Sequence, residues 1–593
     1  MAITVSNTTS GVATKVVAYK NGDDVGLFWR VAVGGAVDQA VPDGRGFMIQ
    51  RQRRLKSGEW GKIETLRNRV GFSATPAIAQ QPLQTTPTQP SNIWPFQCFD
   101  WTDHGANSGE TVRYRVSAVK LPVGGTLGET ELTVIADSGW TQAIGMTADC
   151  GAGMSAFFNR GAVMSQYVAR YARLKNWGPR DIKDHIKELQ EPLRRFLSGN
   201  LRVALLDILD RAIENPLLEI YAALYELSDK ELIDRLKLLR ARAHIVLANG
   251  SDKQGDGNAD ARAGLKQSGV DVRDRLLGSK GLGHNKFLVV KDTAANEAIS
   301  AWTGSTNWAA TGLCTQLNNG ILIENQLVAK IYLDQWQRLS DAGGSFPASL
   351  VAANAASPKT AGPAQVWFSR VRNKSTKNTG LGIDLEELVR LVKSAREKIL
   401  YVMFQPGSDP LQDILSRAGE IYVRGVVSTV TARNREKFAL SGLDGKTYHT
   451  ALVQPEGIGK GFSWWVKEVT RSEFLFPNAS PGIGHAITHA KMIVIDPLDD
   501  DCKVITGSHN FSISASEQND ENFVVIEGNR DLAEAYSVAC LATYRHYRWR
   551  AYVKDMFDKG EKPWDALSKS LAWQGNYLTA PRKAHLDAWC KFA

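Results

Sequence analysis

Hydrophobic and polar positions follow two different rhythms along this chain, and the change between them marks its organisation. Up to about residue 140 the rhythm is mostly that of strands. Val112, Tyr114, Val116 and Ala118 alternate with Arg113, Arg115 and Ser117, and Val25 to Val31 form an apolar run. Such alternation buries one face of a strand and wets the other. Turn clusters at Asn21-Gly22-Asp23-Asp24 and at residues 105–109 separate the runs, and the Pro/Gln/Thr-rich stretch 74–95 reads as a long loop. From residue 181 to 242 the spacing becomes helical, with Ile186, Leu189, Leu193 and Leu197 on one face, and Ala243 to Ala248 then reads as a buried strand ending at Asn249-Gly250. Helix and strand alternate again at 385–395, 398–404, 411–418 and 421–430. The pattern predicts a multi-domain chain: an all-β sandwich over 1–145, then two α/β lobes over 146–350 and 351–593. The Ala/Ser/Pro-rich segment 345–365 is the expected linker between the lobes.

Composition agrees with several domains, because 593 residues exceed what one hydrophobic core serves. With 43% hydrophobic and 22% charged residues, the chain falls in the soluble folded class rather than the disordered or membrane classes. No stretch approaches the roughly 20 apolar residues of a spanning helix, and residues 1–11 lack the basic and apolar regions of a secretion signal. A soluble, cytoplasmic protein is expected, with export by a route needing no such signal left open. Six scattered cysteines without a C-x-x-C pair argue against a zinc site or a disulfide framework. The net charge of +9 suits an anionic substrate, though an ordinary basic surface would carry it equally well. Asp100-Trp101-Thr102-Asp103 leading into Tyr114-Arg115-Val116 resembles the later strands of a fibronectin type III domain, with Trp29 as the core tryptophan.

One phrase occurs twice. His489-Ala490-Lys491 is followed by Asp496, Gly507-Ser508-His509-Asn510 and Asn519-Asp520-Glu521, which spells H-x-K-x4-D, G-S-x-N and N-x-E. Earlier, His284-Asn285-Lys286 is followed by Gly304-Ser305-Thr306-Asn307 and Asn318-Asn319-Gly320. On a strand, residues i and i+2 face the same way, so each copy projects an imidazole beside an ammonium while Phe287, Val289, Met492 and Val494 pack behind. Imidazole can attack phosphorus when neutral and donate a proton when charged. The doubled phrase resembles the phospholipase D superfamily, whose fold pairs two α/β lobes around an active site on their pseudo-twofold axis. The segments Ala156-Phe157-Phe158-Asn159-Arg160-Gly161 and His546-Tyr547-Arg548-Trp549-Arg550 resemble a bacterial group carrying both motifs.

The resemblance implies a metal-independent phosphodiesterase with no cofactor. His284 would form a covalent phosphohistidine and His489 would serve as acid and then base. Lys286, Lys491, Asn307 and Asn510 would hold the non-bridging oxygens, assisted by Ser305 and Ser508. Asp292, Asp496 and Glu521 would orient the histidines. The first copy departs from the pattern: Lys291 stands where aspartate is expected, with Asp292 one residue late, and Asn318 stands where the second copy has Glu521. The expectation is that Asp496 or Glu521 reaches across to His284, or that a bulge re-aims Asp292. His485 and His509 read as spare histidines, Trp464-Trp465 as packing residues, and Arg51, Arg53 and Arg54 as a solvated strand edge. The leading substrate is a glycerophospholipid cleaved on its head-group side, which implies peripheral membrane contact; nucleic acid is the alternative. A non-catalytic protein whose β domain docks a partner is the third reading.

Overall fold

The computed structural model describes residues 2–3, 11–73, 88–161, 171, 174–177, 179–250, 255–427, 487–558, 566–579 and 582–591. The amino-terminal region folds as two five-stranded antiparallel sheets. Val12–Lys20 and Val25–Val33 anchor one, and Gly44–Arg53 with Thr111–Lys120 anchor the other. Both sheets contribute to one core containing Val16, Leu27, Trp29, Phe47, Ile49, Val112, Tyr114 and Val116. Trp29 is fully buried there, with its ring 5.5 Å from that of Phe47. Arg51 is not part of a solvated edge: it is buried and paired with Asp103 at 2.6 Å and Glu64 at 2.8 Å. Neighbouring carboxylates also hold Arg53, whereas Arg54 is exposed and donates to Gly58 O at 2.8 Å.

The end of the chain returns to these sheets. Trp573 and Leu586 lie in the amino-terminal core, and Trp573 Nε1 donates to Gly44 O at 3.0 Å. Tyr19 Oη donates to Trp589 O at 2.7 Å. The carboxy-terminal residues therefore pack with the first region, and they touch the second lobe as well, where Tyr422 Oη lies 2.6 Å from His585 Nδ1.

Two seven-stranded mixed sheets follow, and they repeat one plan. The first runs Met154–Phe158, Asn319–Ile323, Glu297–Gly304, Lys286–Asp292, Leu218–Leu224, Ala243–Ala248, Asp271–Arg275. The second runs Lys359–Ala361, Ala364–Ser369, Glu521–Glu527, Lys503–Gly507, Met492–Ile495, Lys398–Met403, Tyr422–Val427. From Met154–Phe158 and from Ala364–Ser369 onward, the strands match in order and direction: antiparallel steps, then a parallel one. Each strand that follows a histidine is internal and apolar on both faces. Phe287 and Val289 enter a core shared by the two sheets, to which Met492 and Val494 contribute from the other side. Leu288 and Val290 point the opposite way into the first lobe's outer core, as Ile493 and Ile495 do in the second. The period of two thus places the sheets face to face.

Two expectations need correction. Leu218–Leu224 is a strand beside the histidine strand, although leucines at near-helical spacing made 181–242 read as helix throughout; a short apolar run has no period long enough to separate the two states. Segment 345–365 is not an open linker, since it forms the helix Ala348–Ala355 and the edge strand Lys359–Ala361. Among the described residues, no helix is long and apolar enough to cross a membrane.

Candidate functional site

The histidines meet because each lobe hydrogen-bonds, just before its histidine, to the other lobe. Gly283 forms a parallel bridge with Asp520, with His284 N donating to Asp520 O at 2.9 Å and Asp520 N to Leu282 O at 2.8 Å. In the mirrored position, Gln316–Leu317 pairs with Ile487–Thr488. One residue further along each pairing, His284 stands against Glu521 and His489 against Asn318. Glu521 Oε2 lies 2.7 Å from His284 Nδ1, and Asn318 Oδ1 lies 2.9 Å from His489 Nδ1. The expected reach of Glu521 across to His284 is present, and it is reciprocal.

Those contacts set the tautomers. An amide oxygen or a carboxylate only accepts, so each Nδ1 carries the hydrogen and Nε2 is the nitrogen left for chemistry. The amide orientation of Asn318 is itself determined: Ser305 Oγ donates to Oδ1 at 2.8 Å, and Nδ2 donates to Gly312 O at 2.7 Å. Asn159 holds the backbone there, accepting from Asn318 N at 2.8 Å and donating to Leu313 O at 2.8 Å and Gln316 O at 2.6 Å. On the opposite side, Ser508 Oγ donates to Glu521 Oε2 at 2.9 Å. Both serines are therefore committed to the residues that orient the histidines, and they are not placed as the phosphate-holding groups expected of them. The glycines of G-S-x-N serve close approach: a Cβ on Gly304 would lie 2.3 Å from Asn319 O, and one on Gly507 2.3 Å from Asn522 O.

The imidazole centroids of His284 and His489 are 6.5 Å apart. Tyr225 packs 4.7 Å from His284 and Phe404 4.8 Å from His489, centroid to centroid. Lys286 Nζ lies 4.9 Å over the Tyr225 ring and Lys491 Nζ 5.0 Å over that of Phe404, and each lysine donates to the carbonyl of its own histidine. Asn307 Nδ2 donates to Glu226 Oε2 at 2.7 Å. Asn307 Oδ1 and Asn510 Oδ1 are buried without hydrogen-bond partners among the described residues; these oxygens can only accept, so it is an amide N–H, of which Asn307 keeps one beyond that given to Glu226, that could reach a phosphoryl oxygen.

Asp292 and Asp496 do something else. Asp496 accepts from the backbone N–H of Arg396, Glu397 and Lys398, each at 2.8 Å, and so ties down the end of a strand. A register shift does occur between Val290 and Lys291, yet Asp292 caps the following turn through Ala294 N and Ala295 N. Neither aspartate orients a histidine, because each stands at the far end of its strand from the H-x-K. His509 is buried 3.3 Å from Asp384, in keeping with a spare histidine; His485, Trp464 and Trp465 lie outside the described residues. Tyr225, Glu226 and Phe404 were missed by sequence reasoning. The first two follow the strand misread as helix, and recognition of that strand as the counterpart of Lys398–Met403 would have found them.

Burial dominates the electrostatics. It lowers the His284 pKa to about 4, with Lys286 and Lys491 adding to the effect and Glu521 opposing it. Burial likewise lowers Lys286 to about 7, against the pull of Glu521 and Glu226. It also pushes His489 and Lys491 well below their ordinary values. Burial alone would raise Glu521, but His284 and Lys286 more than offset it and hold the carboxyl below its usual range. The free site thus presents a neutral His284 above pH about 4 and a charged Lys286 below pH about 7. If the site is catalytic with both groups in those states, kcat/KM is expected to rise through the first value and fall through the second. A flat profile across neutral pH, measured on a diester that does not titrate there, would contradict that assignment.

The cross-lobe contact is pinned by Arg275 and Asp520, each about 1% exposed and 2.8 Å apart. Removing one partner of such a pair leaves a buried charge and typically costs about 3–5 kcal/mol. Arg275→Met is expected to lower the urea midpoint accordingly, and adding Asp520→Leu to recover much of the loss; an unchanged midpoint in the single variant would show that the pair does not hold the lobes. Among the described residues, His185, Glu188 and Glu191 bring three possible metal-ligating atoms within 4.8 Å of one another, and none belongs to the histidine site.

Fold and site together define a two-lobed protein with paired H-x-K and G-S-x-N segments facing each other. Residues 388–539 match the family model described as cardiolipin synthase, PLD-like domain. A 50-residue stretch is 52% identical to a phospholipase D of Rickettsia prowazekii (strain Madrid E) and 50% identical to one of Rickettsia felis (strain ATCC VR-1525 / URRWXCal2). In both cases the match covers 8% of this chain and 22% of the relative's length. Over residues 388–539 the chain thus resembles a phospholipase D-like domain, and it spans about a fifth of the length of the curated relatives it matches. Similar solved structures include phosphatidylserine synthase of Haemophilus influenzae Rd KW20, at TM-score 0.38 and 11% identity, covering 59% of this chain and 85% of that one. Another is the phospholipase D family member Nuc from Salmonella typhimurium, at TM-score 0.20 and 20% identity, covering 25% and 91%.

Proposed function

We propose that this chain is a metal-independent phosphodiesterase in which the two lobes act as a pseudo-dimer, and that its substrate is a glycerophospholipid cleaved on the head-group side. The observation that carries the reading is the pair of imidazoles 6.5 Å apart, each tied at Nδ1 by a residue of the opposite lobe. His284 Nε2 attacks phosphorus as the bond to the leaving oxygen breaks, and His489 gives that oxygen its proton. Water then attacks phosphorus, His489 takes the water's proton, and the bond to His284 breaks. His284 is the nucleophile in this scheme because Glu521 stabilises the charge that forms on it. His489 needs a proton that burial disfavours, and the bound phosphate anion raises its affinity for one. Lys286, Lys491, Asn307 and Asn510 hold the phosphoryl oxygens. The departures in the first copy do not remove this machinery, since Lys291 replaces a residue whose counterpart ties backbone and His284 keeps its carboxylate.

The amino-terminal pair of antiparallel sheets is read as a fibronectin type III-like sandwich. It serves as a platform, closed by the carboxy-terminal residues. The substrate class is tested in excess EDTA with phosphatidylcholine and phosphatidylethanolamine vesicles beside single-stranded DNA and RNA. Head-group release supports the lipid reading. Cleavage of nucleic acid alone makes the protein a nuclease, and turnover of neither, nor of bis(p-nitrophenyl) phosphate, removes the catalytic reading.

A further inference from the structure

Besides Glu521 and Asn318, the two halves of the site differ in charge at a second pair of matched positions. Tyr225 follows the strand Leu218–Leu224 and packs on His284; Phe404 follows Lys398–Met403 and packs on His489. The next residue is Glu226 in the first lobe and Gln405 in the second. Glu226 is held in place: Trp308 N donates to its backbone oxygen at 3.1 Å, and Asn307 Nδ2 donates to its Oε2 at 2.7 Å. Asn307 belongs to the G-S-x-N segment, so this carboxylate sits on a group assigned to the phosphoryl oxygens. Lys286 feels its charge as well.

We propose that Glu226 is the specificity-determining residue of the site, selecting an isolated, singly charged phosphodiester over doubly charged phosphate groups and over polyanions. The inference rests on the phosphodiesterase reading. Lys286 and Lys491 supply the cationic side of the pocket, and Glu521 with Glu226 the anionic side. A second Gln at position 226 would leave one negative charge fewer and favour more highly charged anions. A phosphomonoester is mostly doubly charged near neutral pH, whereas a diester carries one charge. A dianion is repelled twice as strongly as a monoanion by the same carboxylate at the same distance. The ratio of the two affinities therefore isolates the charge of Glu226 from any general change in packing. A chain of phosphodiesters suffers the same repulsion through its flanking groups, which favours a lone diester such as that of a lipid.

The test is calorimetric titration of the whole protein with dimethyl phosphate and with methyl phosphate in EDTA, for wild type, Glu226→Gln and Glu226→Asp. Wild type is expected to prefer dimethyl phosphate. Glu226→Gln is expected to strengthen methyl phosphate binding about tenfold relative to dimethyl phosphate, a size typical of one unit charge in a largely buried site. Glu226→Asp, which keeps the charge, is expected to keep the wild-type preference. Binding of dimethyl phosphate with a ratio unmoved in Glu226→Gln overturns this inference alone. Binding of neither anion by the wild type overturns the inference together with the phosphodiesterase reading.

Discussion

His284→Ala is expected to abolish turnover of bis(p-nitrophenyl) phosphate in EDTA, by about a thousandfold or more, and to form no covalent adduct, because it removes the group that the proposed mechanism uses as nucleophile. His489→Ala is expected to fail differently. p-Nitrophenolate leaves without needing a proton, so the first displacement survives in part, while the water of the second step lacks its base. A burst of p-nitrophenol should follow mixing, and mass spectrometry of the quenched protein should find the phosphoryl adduct on the peptide that carries His284. The reverse pattern, with an adduct on His489 that persists in His284→Ala, would exchange the two roles. Loss of activity in neither variant would sink the two-histidine site.

The second large effect concerns the orienting pair. Glu521→Gln keeps a group of nearly the same shape against His284 Nδ1 but removes the charge that stabilises the imidazolium and allows the wrong tautomer. A fall of roughly a hundredfold or more in kcat, with KM little changed, is expected by analogy with carboxylate-to-amide changes behind other catalytic histidines. At His489 the partner is already an amide, Asn318. Asn318→Asp is therefore expected to change kcat by less than about tenfold while moving the pH dependence, since a new carboxylate beside His489 favours its charged form. Equal losses in the two variants, with no movement of the pH profile, would show that the carboxylate–amide asymmetry has no functional meaning.

That asymmetry illustrates how far the sequence could be read. The absence of a second N-x-E was visible from residue types alone, and it led to the expectation that Asp496 or Glu521 reaches across to His284 or that a bulge re-aims Asp292. The structure moves the consequence to the other motif, because Asn318 is partnered with His489, whereas Glu521 serves His284. Nothing in spacing within one copy can reveal this, since hydrogen bonds between lobes depend on how two separately folded sheets dock. Glu226 was hidden for a related reason: it follows a strand whose leucines suited a helix, and only pairing with Lys286–Asp292 made that segment a strand. Asp292 and Asp496 failed in the opposite direction. They looked like residues that orient the histidines, but a strand carries them away from the imidazoles at roughly 3.3 Å per residue.

What the sequence determined by itself was local: two strands with alternating faces, an imidazole and an ammonium projected together from each, and glycines where backbones approach closely. Side-chain period and turn chemistry dictate these features within a few residues. What only the tertiary structure decided was partnership. The Gly283–Asp520 and Leu317–Thr488 pairings bring each histidine to the other lobe's orienting residue, and the carboxy-terminal residues close on the first sheets. Those choices come from burying two apolar sheet faces against each other while the groups that orient the histidines find their partners across the contact, a condition that no single segment of the chain can express.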